Sequence, residues 1–224
     1  MMDAVVIRKA LWSEITHVLL DMDGTLVDKY FDDYFWRHLV PEKYAEKHGI
    51  TFGAAKEQLF VRYKAREGTL NWTDIDFWSN ELDLDIPALN EQVRHLLEAH
   101  PNVEDFLTAL RIHKKTVVLA TNAHYKTIAF KMKHTELGKY FDKVIMSSDM
   151  GYPKEDEGFW INAQRAVGFD KDRTLFIDDT REVAESAARF GIKYVLIKHM
   201  ASSREDAEYT GTLPYINNFS ELLP

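Results

Sequence analysis

The sequence predicts an α/β protein, a parallel sheet with helices on both faces, into which a block made only of helices is inserted. Three observations carry this expectation. Short apolar runs rich in β-branched and aromatic residues recur along the chain, as in strands buried on both faces. Stretches of helical period alternate with them, which calls for parallel pairing through right-handed crossovers. The interval from 29 to about 100 breaks the alternation and holds helical patterns without a convincing strand.

In chain order, the strands are Val18-Leu19-Leu20, Thr116 to Ala120, Val144-Ile145-Met146, Thr174 to Ile177 and Tyr194 to Ile197. Helices are expected at roughly 124–136, 155–168 and 181–190, the last closed by Gly191 at a left-handed C′ position. Within the insert, Phe31, Tyr34, Phe35, His38 and Leu39 mark one face of a first helix, and Ala55, Leu59 and Tyr63 a second. Ile75, Trp78 and Leu82 mark a third that starts near Thr73. Asp85-Ile86-Pro87 opens a fourth, with Leu89, Val93, Leu96 and Leu97 behind it. The borders fall near Asp28 and Asn102, so residues 1–28 and 102–224 form the core domain and 29–101 the helical one. The polar stretch from Ala201 to Gly211 reads as a loosely held surface segment.

Composition narrows the function. The 224 residues include 36 acidic and 28 basic side chains, a net charge of −8, which argues against a protein that tracks a nucleic-acid backbone but leaves small phosphorylated ligands open. The absence of cysteine removes disulfides, cysteine-based zinc sites, iron–sulfur clusters and a thiol nucleophile. The first fifteen residues carry Asp3, Arg8, Lys9 and Glu14, so no signal peptide is read there, and no apolar run approaches a membrane span. A soluble, cytoplasmic protein without a membrane partner is the expectation; nothing in the sequence speaks to its oligomeric state.

The candidate chemistry sits at the strand ends. Asp21-Met22-Asp23-Gly24-Thr25 follows the first strand, placing two carboxylates where open α/β sheets bind ligands; the competing reading is a plain turn. Asp178-Asp179 ends the fourth strand at the same edge, and the clustered acids make an oxygen site suited to Mg²⁺. Asp179 or Thr180 capping the next helix would explain only one of that pair. Thr121-Asn122 ends the second strand, either as a phosphate cradle or with Thr121 as a helix cap. Lys154, in Gly151-Tyr152-Pro153-Lys154-Glu155-Asp156 after the third strand, either neutralises a phosphate and the carboxylates or is merely solvated. His124 sits near that edge, facing phosphate or lying in the first turn of its helix.

In the insert, twelve of the 28 aromatic residues lie between Lys29 and His100. Most pack its interior by their period, yet the cluster Tyr30, Phe31, Tyr34, Phe35 and Trp36 enters just above the catalytic edge, where a ring could stack on a planar base. Arg62, Lys64 and Arg66, with Asn71 and Trp72 nearby, offer polar contacts to a base or form an exposed helix face.

Taken together, these motifs resemble those of the haloacid dehalogenase-like (HAD) hydrolase superfamily over the whole chain: Asp21 to Thr25 resembles its first motif, Thr121 the second, Lys154 the third and Asp178-Asp179 the fourth. The insert resembles the family's cap of the first type. The resemblance implies a Rossmann-like sheet in the order 3-2-1-4-5 and Mg²⁺-dependent phosphoryl transfer through an aspartyl-phosphate. It makes Asp21 the nucleophile and a metal ligand, and Asp23 the general acid and base, with its backbone carbonyl on the metal. Thr121 and the Asn122 N–H become the phosphoryl binders, Lys154 the charge screen, and Asp178 and Asp179 the remaining metal ligands. Dehalogenases of the superfamily lack an acid at the position of Asp23, so its presence points to phosphate esters.

Further segments, Phe31 to Trp36, Leu39-Val40-Pro41-Glu42, Leu70-Asn71-Trp72, Thr121 to His124 and Gly151 to Asp156, are similar to the bacterial GMP/IMP nucleotidase group. That similarity implies a 5′-nucleotidase acting on purine monophosphates; among the aromatic residues of the insert, Tyr34 and Trp72 are the rings expected to stack on the base. A phosphatase or mutase for sugar phosphates or other small phosphate esters is the alternative enzyme, and a catalytically silent binding module is a further one.

Overall fold

The computed structural model describes residues 3–204 and 208–224. The chain begins with helix α1 (Ala4–Ser13), started by the Asp3 carboxylate accepting from the Val6 N–H. Strand β1 (His17–Leu20) then leads to Asp21, and the helical insert follows. The insert comprises α2 (Tyr30–Tyr34), a wide π-turn at Phe35–Leu39, α3 (Val40–His48), α4 (Phe52–Lys64), α5 (Ile75–Leu82) and α6 (Ile86–Gln92). The core resumes with α7 (Val103–Ile112), β2 (Thr116–Thr121), α8 (Tyr125–Thr135), β3 (Lys143–Met146), the short α9 (Ser147–Met150) and α10 (Glu157–Val167). It ends with β4 (Thr174–Asp178), α11 (Arg181–Phe190), β5 (Tyr194–Lys198) and β6 (Tyr215–Ile216).

All pairings in the sheet are parallel, in the order β3-β2-β1-β4-β5-β6. The expected 3-2-1-4-5 arrangement is therefore present and is extended by one edge strand that the sequence reading did not include. Side-chain alternation explains why the sheet needs covering on both faces. Val18, Leu20, Val117, Leu119, Leu175 and Ile177 join the apolar layer under α1 and α7, while Leu19, Val118, Ala120 and Phe176 join the layer under α10 and α11.

Strand β1 lies between β2 and β4, so the sheet order reverses beside it and opens a crevice at the carboxyl edge. Register brings Leu20 level with Leu119 and Ile177, which places Asp21, Thr121 and Asp178 at that same edge.

The insert has an apolar interior of its own, built around Phe31, Phe35, Leu59, Trp78 and Ile86, with Phe130 of α8 packed against it. The two chain passages between sheet and insert pair with each other: Asp28 N–H donates to Glu98 O at 2.9 Å and His100 N–H to Leu26 O at 2.9 Å. Among the described residues, no helix is long and apolar enough to cross a membrane.

Three local expectations change. The fourth insert helix stops at Gln92, and Leu96 lies in a separate 3₁₀ turn, because the backbone at Val93 leaves helical geometry. The first insert helix is divided by the π-turn, which shifts the face its residues present. The 201–211 segment is tied down where it begins: Ala201 O accepts from Lys29 N–H at 2.9 Å, and Ser203 N–H donates to Asp28 Oδ1 at 3.1 Å. Residues 205–207 of that stretch lie outside the described residues.

Candidate active site

The floor of the crevice is a buried charge cluster. Lys154, 3% exposed, donates from Nζ to Asp21 Oδ1 at 2.5 Å, to Asp178 Oδ2 at 2.7 Å and to Ala120 O at 3.1 Å. The solvated reading of this lysine is thereby excluded. Burial pushes Asp21 well above the usual carboxylate range; Lys154 opposes the shift, and Asp178, Asp179 and Asp23 add to it. Asp178 is raised for the same main reason. Burial works to lower the Lys154 ammonium, but the two carboxylates outweigh it and hold the lysine charged.

Oxygens of Asp21, Asp178 and Asp179 lie within 4.8 Å of one another. Three hard carboxylate donors, two of them buried beside a single shared ammonium, fit a small divalent cation such as Mg²⁺. The Asp23 carboxylate is not one of this cluster: it turns toward Lys131, leaving only its backbone for the metal role that the family resemblance implies. A second acidic group, Asp74, Asp76 and His124, joins insert to core instead. Asp74 caps α5, Asp76 accepts from Lys126 Nζ at 2.7 and 2.8 Å, and His124 Nε2 lies 3.6 Å from Asp74. His124 thus faces the insert from the N-cap position of α8 and does not line the crevice.

Thr121 is no helix cap. Its Oγ1 accepts from the Ala123 N–H at 2.9 Å, tightening the turn that leads into α8. Asn122 knits three segments together: its Oδ1 accepts from the Lys154 N–H at 2.9 Å, its Nδ2 donates to Glu155, and its carbonyl accepts from the hydroxyls of Ser147 and Thr73. At the fourth motif, neither Asp179 nor Thr180 caps α11 with its side chain; Asp178 Oδ1 instead accepts from the Thr180 N–H at 2.8 Å.

Gly24 is required by both backbone and space. Its φ is +87°, and a Cβ there would meet Asp179 Oδ2 at 2.5 Å. Gly24→Ala should cost about 1–2 kcal/mol from the left-handed conformation alone and displace Asp179. A melting curve and a phosphate-release assay check this; unchanged activity and midpoint would contradict it.

A cavity of about 620 Å³ holds Asp21, Asp23, Thr121, Asn122, Lys154, Asp178 and Asp179 in its walls. A second, of about 610 Å³, runs into the insert and is walled by Trp36, Tyr63, Trp72 and Trp78. Asp23, Lys29, Glu67, Trp72, Thr73 and Ala123 line both. Trp72 thus stands on the wall that the two cavities share. Tyr34 lines neither cavity and stacks on His38, whereas Trp36, on another side of the same helical stretch, lines the second. Arg62 pairs with Glu81, and Arg66 lies over Phe77, leaving Lys64 as the member of that basic trio that reaches the second cavity.

Three charged residues of the site escaped the sequence reading. Lys29 Nζ donates to Asp179 Oδ2 at 3.0 Å, and buried Lys131 bridges Asp23 and Asp32. No local pattern marks them, because each partner arrives from a distant segment.

The comparisons with known proteins agree with this geometry. The haloacid dehalogenase-like hydrolase family matches residues 15–191. A GMP/IMP nucleotidase, YrfG of Escherichia coli (strain K12), is 39% identical over 95% of this chain and 96% of its own length. Phosphoglycolate phosphatase 1 of Pseudomonas aeruginosa is 26% identical, covering 92% of this chain and 78% of that protein. A HAD phosphatase from Thermococcus onnurineus has the same fold, with a TM-score of 0.78 at 24% identity over 93% of this chain and 96% of its own. Family match, sheet order and the four strand-end motifs coincide on the same edge: the chain belongs to the haloacid dehalogenase-like hydrolases.

Proposed function

We propose that the protein is a cytoplasmic, Mg²⁺-dependent phosphomonoesterase that hydrolyses purine nucleoside 5′-monophosphates, IMP and GMP first, through a phosphorylated Asp21. The observation that carries this reading is the pairing of the two cavities. One is lined by the nucleophile, the lysine and the carboxylate cluster, and the other, sharing a wall with it, is lined by indole and phenol rings. The size of the pair suits a phosphoryl group and a nucleoside together. The relative named for GMP and IMP matches across the insert as well as the core, which supports carrying its substrate class over.

In this mechanism an Asp21 oxygen attacks phosphorus in line. The bond from phosphorus to the 5′-oxygen breaks, and Asp23 gives its proton to that oxygen, so the nucleoside leaves as an alcohol. Water then attacks the acyl phosphate while Asp23 takes up its proton, releasing inorganic phosphate and restoring Asp21. The Thr121 hydroxyl and the Asn122 N–H bind phosphoryl oxygens, and Lys154 offsets charge on those oxygens and on Asp21. Asp21, Asp178 and Asp179 would hold Mg²⁺, whose positive charge would make the approach of an anionic phosphate to these acids favourable.

Phosphate release measured across IMP, GMP, AMP, hexose phosphates and phosphoglycolate, with Mg²⁺ and with chelator, tests the reading. The expected result is a maximum in kcat/KM at IMP and GMP that chelator removes. A maximum at a sugar phosphate would overturn the substrate assignment, and undiminished turnover in chelator would overturn the metal. Trp72, 39% exposed and lining both cavities, should contribute about 1–3 kcal/mol by stacking on the base. Trp72→Ala should accordingly raise KM for IMP roughly tenfold while leaving KM for phosphoglycolate within about twofold; equal changes for both would make Trp72 only a packing residue.

A further inference from the structure

Lys131 is an expensive residue to place where it is. Its side chain is fully buried, its Nζ lies 2.6 Å from Asp23 Oδ1 and 2.6 and 2.8 Å from the two oxygens of Asp32, and the Phe31 ring closes one side at 5.3 Å. A buried ammonium persists only when paired and hydrogen-bonded, and here both partners are carboxylates. The three groups come from three places: Asp23 from the loop after β1, Asp32 from α2 of the insert, and Lys131 from α8 of the core.

Lys131 lines neither cavity, so it does not touch the substrate, whereas Asp23 lines both and Asp32 lines the second. The Asp23 carboxylate therefore sits at the boundary between the phosphoryl cavity and the aromatic one. A substrate spanning both would have its bridging oxygen at that boundary.

We propose that Lys131, itself held by Asp32, is a positioning residue that fixes the Asp23 carboxylate at the boundary of the two cavities, where the leaving oxygen must receive its proton. The inference rests on the acid role given to Asp23 above. In the step concerned, the phosphorus–oxygen bond breaks, the proton of the Asp23 carboxyl passes to the departing oxygen, and Asp23 is left ionised; Lys131 neither gains nor loses a proton. Because α2 belongs to the insert, the same contact makes the placement of the acid depend on how the insert sits over the core.

A purely structural staple between insert and core would give the same contacts, and the leaving group separates the two. An alkoxide such as the nucleoside 5′-oxygen needs the proton; nitrophenolate departs without one. The measurement is the single-turnover rate of nucleoside release from IMP and of nitrophenolate release from p-nitrophenyl phosphate, with enzyme in excess and Mg²⁺ present. This isolates phosphoryl transfer to Asp21 from the later attack of water. Lys131→Met should slow the IMP reaction roughly 100-fold or more and the nitrophenyl reaction less than about fivefold.

Because Lys131→Met leaves the half-buried Asp32 without its ammonium, the double variant Lys131→Met/Asp32→Asn, which removes both charges, is measured beside it, and Asp23→Asn serves as the reference. The same split in the reference and in the double variant supports the inference. A split in Asp23→Asn but equal slowing of both substrates in the double variant overturns the positioning role and leaves the acid role of Asp23 standing. No split in Asp23→Asn overturns the acid role itself, and the inference with it.

Discussion

Asp21→Asn is expected to lower turnover by at least roughly 10⁴-fold, the scale on which removal of a covalent nucleophile is felt. The side chains are nearly isosteric, and the amide oxygen can still accept from Lys154, which keeps its bonds to Asp178 and Ala120 O. An amide, however, offers no carboxylate oxygen to form the acyl phosphate. Stability should move the other way. Burial raises the Asp21 pKa in the folded protein, so the folded state holds that proton more tightly than the unfolded one. The ionised form therefore subtracts stability, and the loss grows as pH rises from the unfolded pKa through the folded one. Asparagine carries no such charge, so the melting midpoint at pH 7.5 without metal should equal or exceed that of the parent. Phosphate release and thermal melting on one preparation check both halves. Activity retained in a preparation free of parent enzyme would sink the covalent mechanism, and a large fall in midpoint would mean that Asp21 supports the fold.

The core was legible because its signals are local and repeated. Strands β1, β2, β4 and β5 announce themselves by runs of apolar residues buried on both faces, the edge strand β3 by a shorter run in which only Ile145 is buried, and the residues Asp21, Thr121 and Asp178 at the strand ends are placed by register without any further information. Strand β6 is two residues long, too short for a period of two to show, and it forms only because Ile197 and Lys198 present an open edge to Tyr215 and Ile216. Helix α7 carries the apolar spacing Val103, Phe106, Leu107 and Leu110, but it follows the insert so closely that its pattern merges with the helical tract before it.

The site was legible in part, and the division follows sequence distance. The carboxylate pairs stand one or two residues apart and identify themselves. Lys131 lies 108 residues from Asp23 and 99 from Asp32, and in Lys131-Met132-Lys133 nothing local separates the buried ammonium from the exposed one two positions on. Tyr34 and Trp36 show a subtler limit. The helical period groups Phe31, Tyr34, Phe35, His38 and Leu39 on one face but does not say which side of the helix meets a cavity; Trp36, off that face, lines it, while Tyr34 stacks on His38. What the insert does to the site is thus decided by which of its rings the packing turns to the cavity and by ion pairs with the core across long separations.

Lys154→Met is expected to be the most destabilising single change in the site. Methionine matches the length of the lysine and preserves the backbone N–H bond to Asn122, so little is lost in packing. The effect lies in what remains: Asp21 and Asp178, 7% and 1% exposed, would face each other and Asp179 without the ammonium between them. Breaking a buried pair by removing one partner costs about 3–5 kcal/mol, which for a chain of this size lowers the melting midpoint by roughly 10 °C. The pH dependence identifies the cause. Both carboxylates already have raised pKa values, and loss of Lys154, the opposing influence in each case, raises them further. Folding then favours proton uptake, so the variant should regain stability as pH falls from 8 toward 5.5, while the parent, its lysine in place, gains less. Activity should not return with the fold, since the charge on the phosphoryl oxygens is still unopposed by a lysine. Thermal melts of both proteins across that pH range, with phosphate release at each point, decide the matter. A midpoint deficit that is the same at every pH would assign the loss to packing and not to the uncompensated carboxylates.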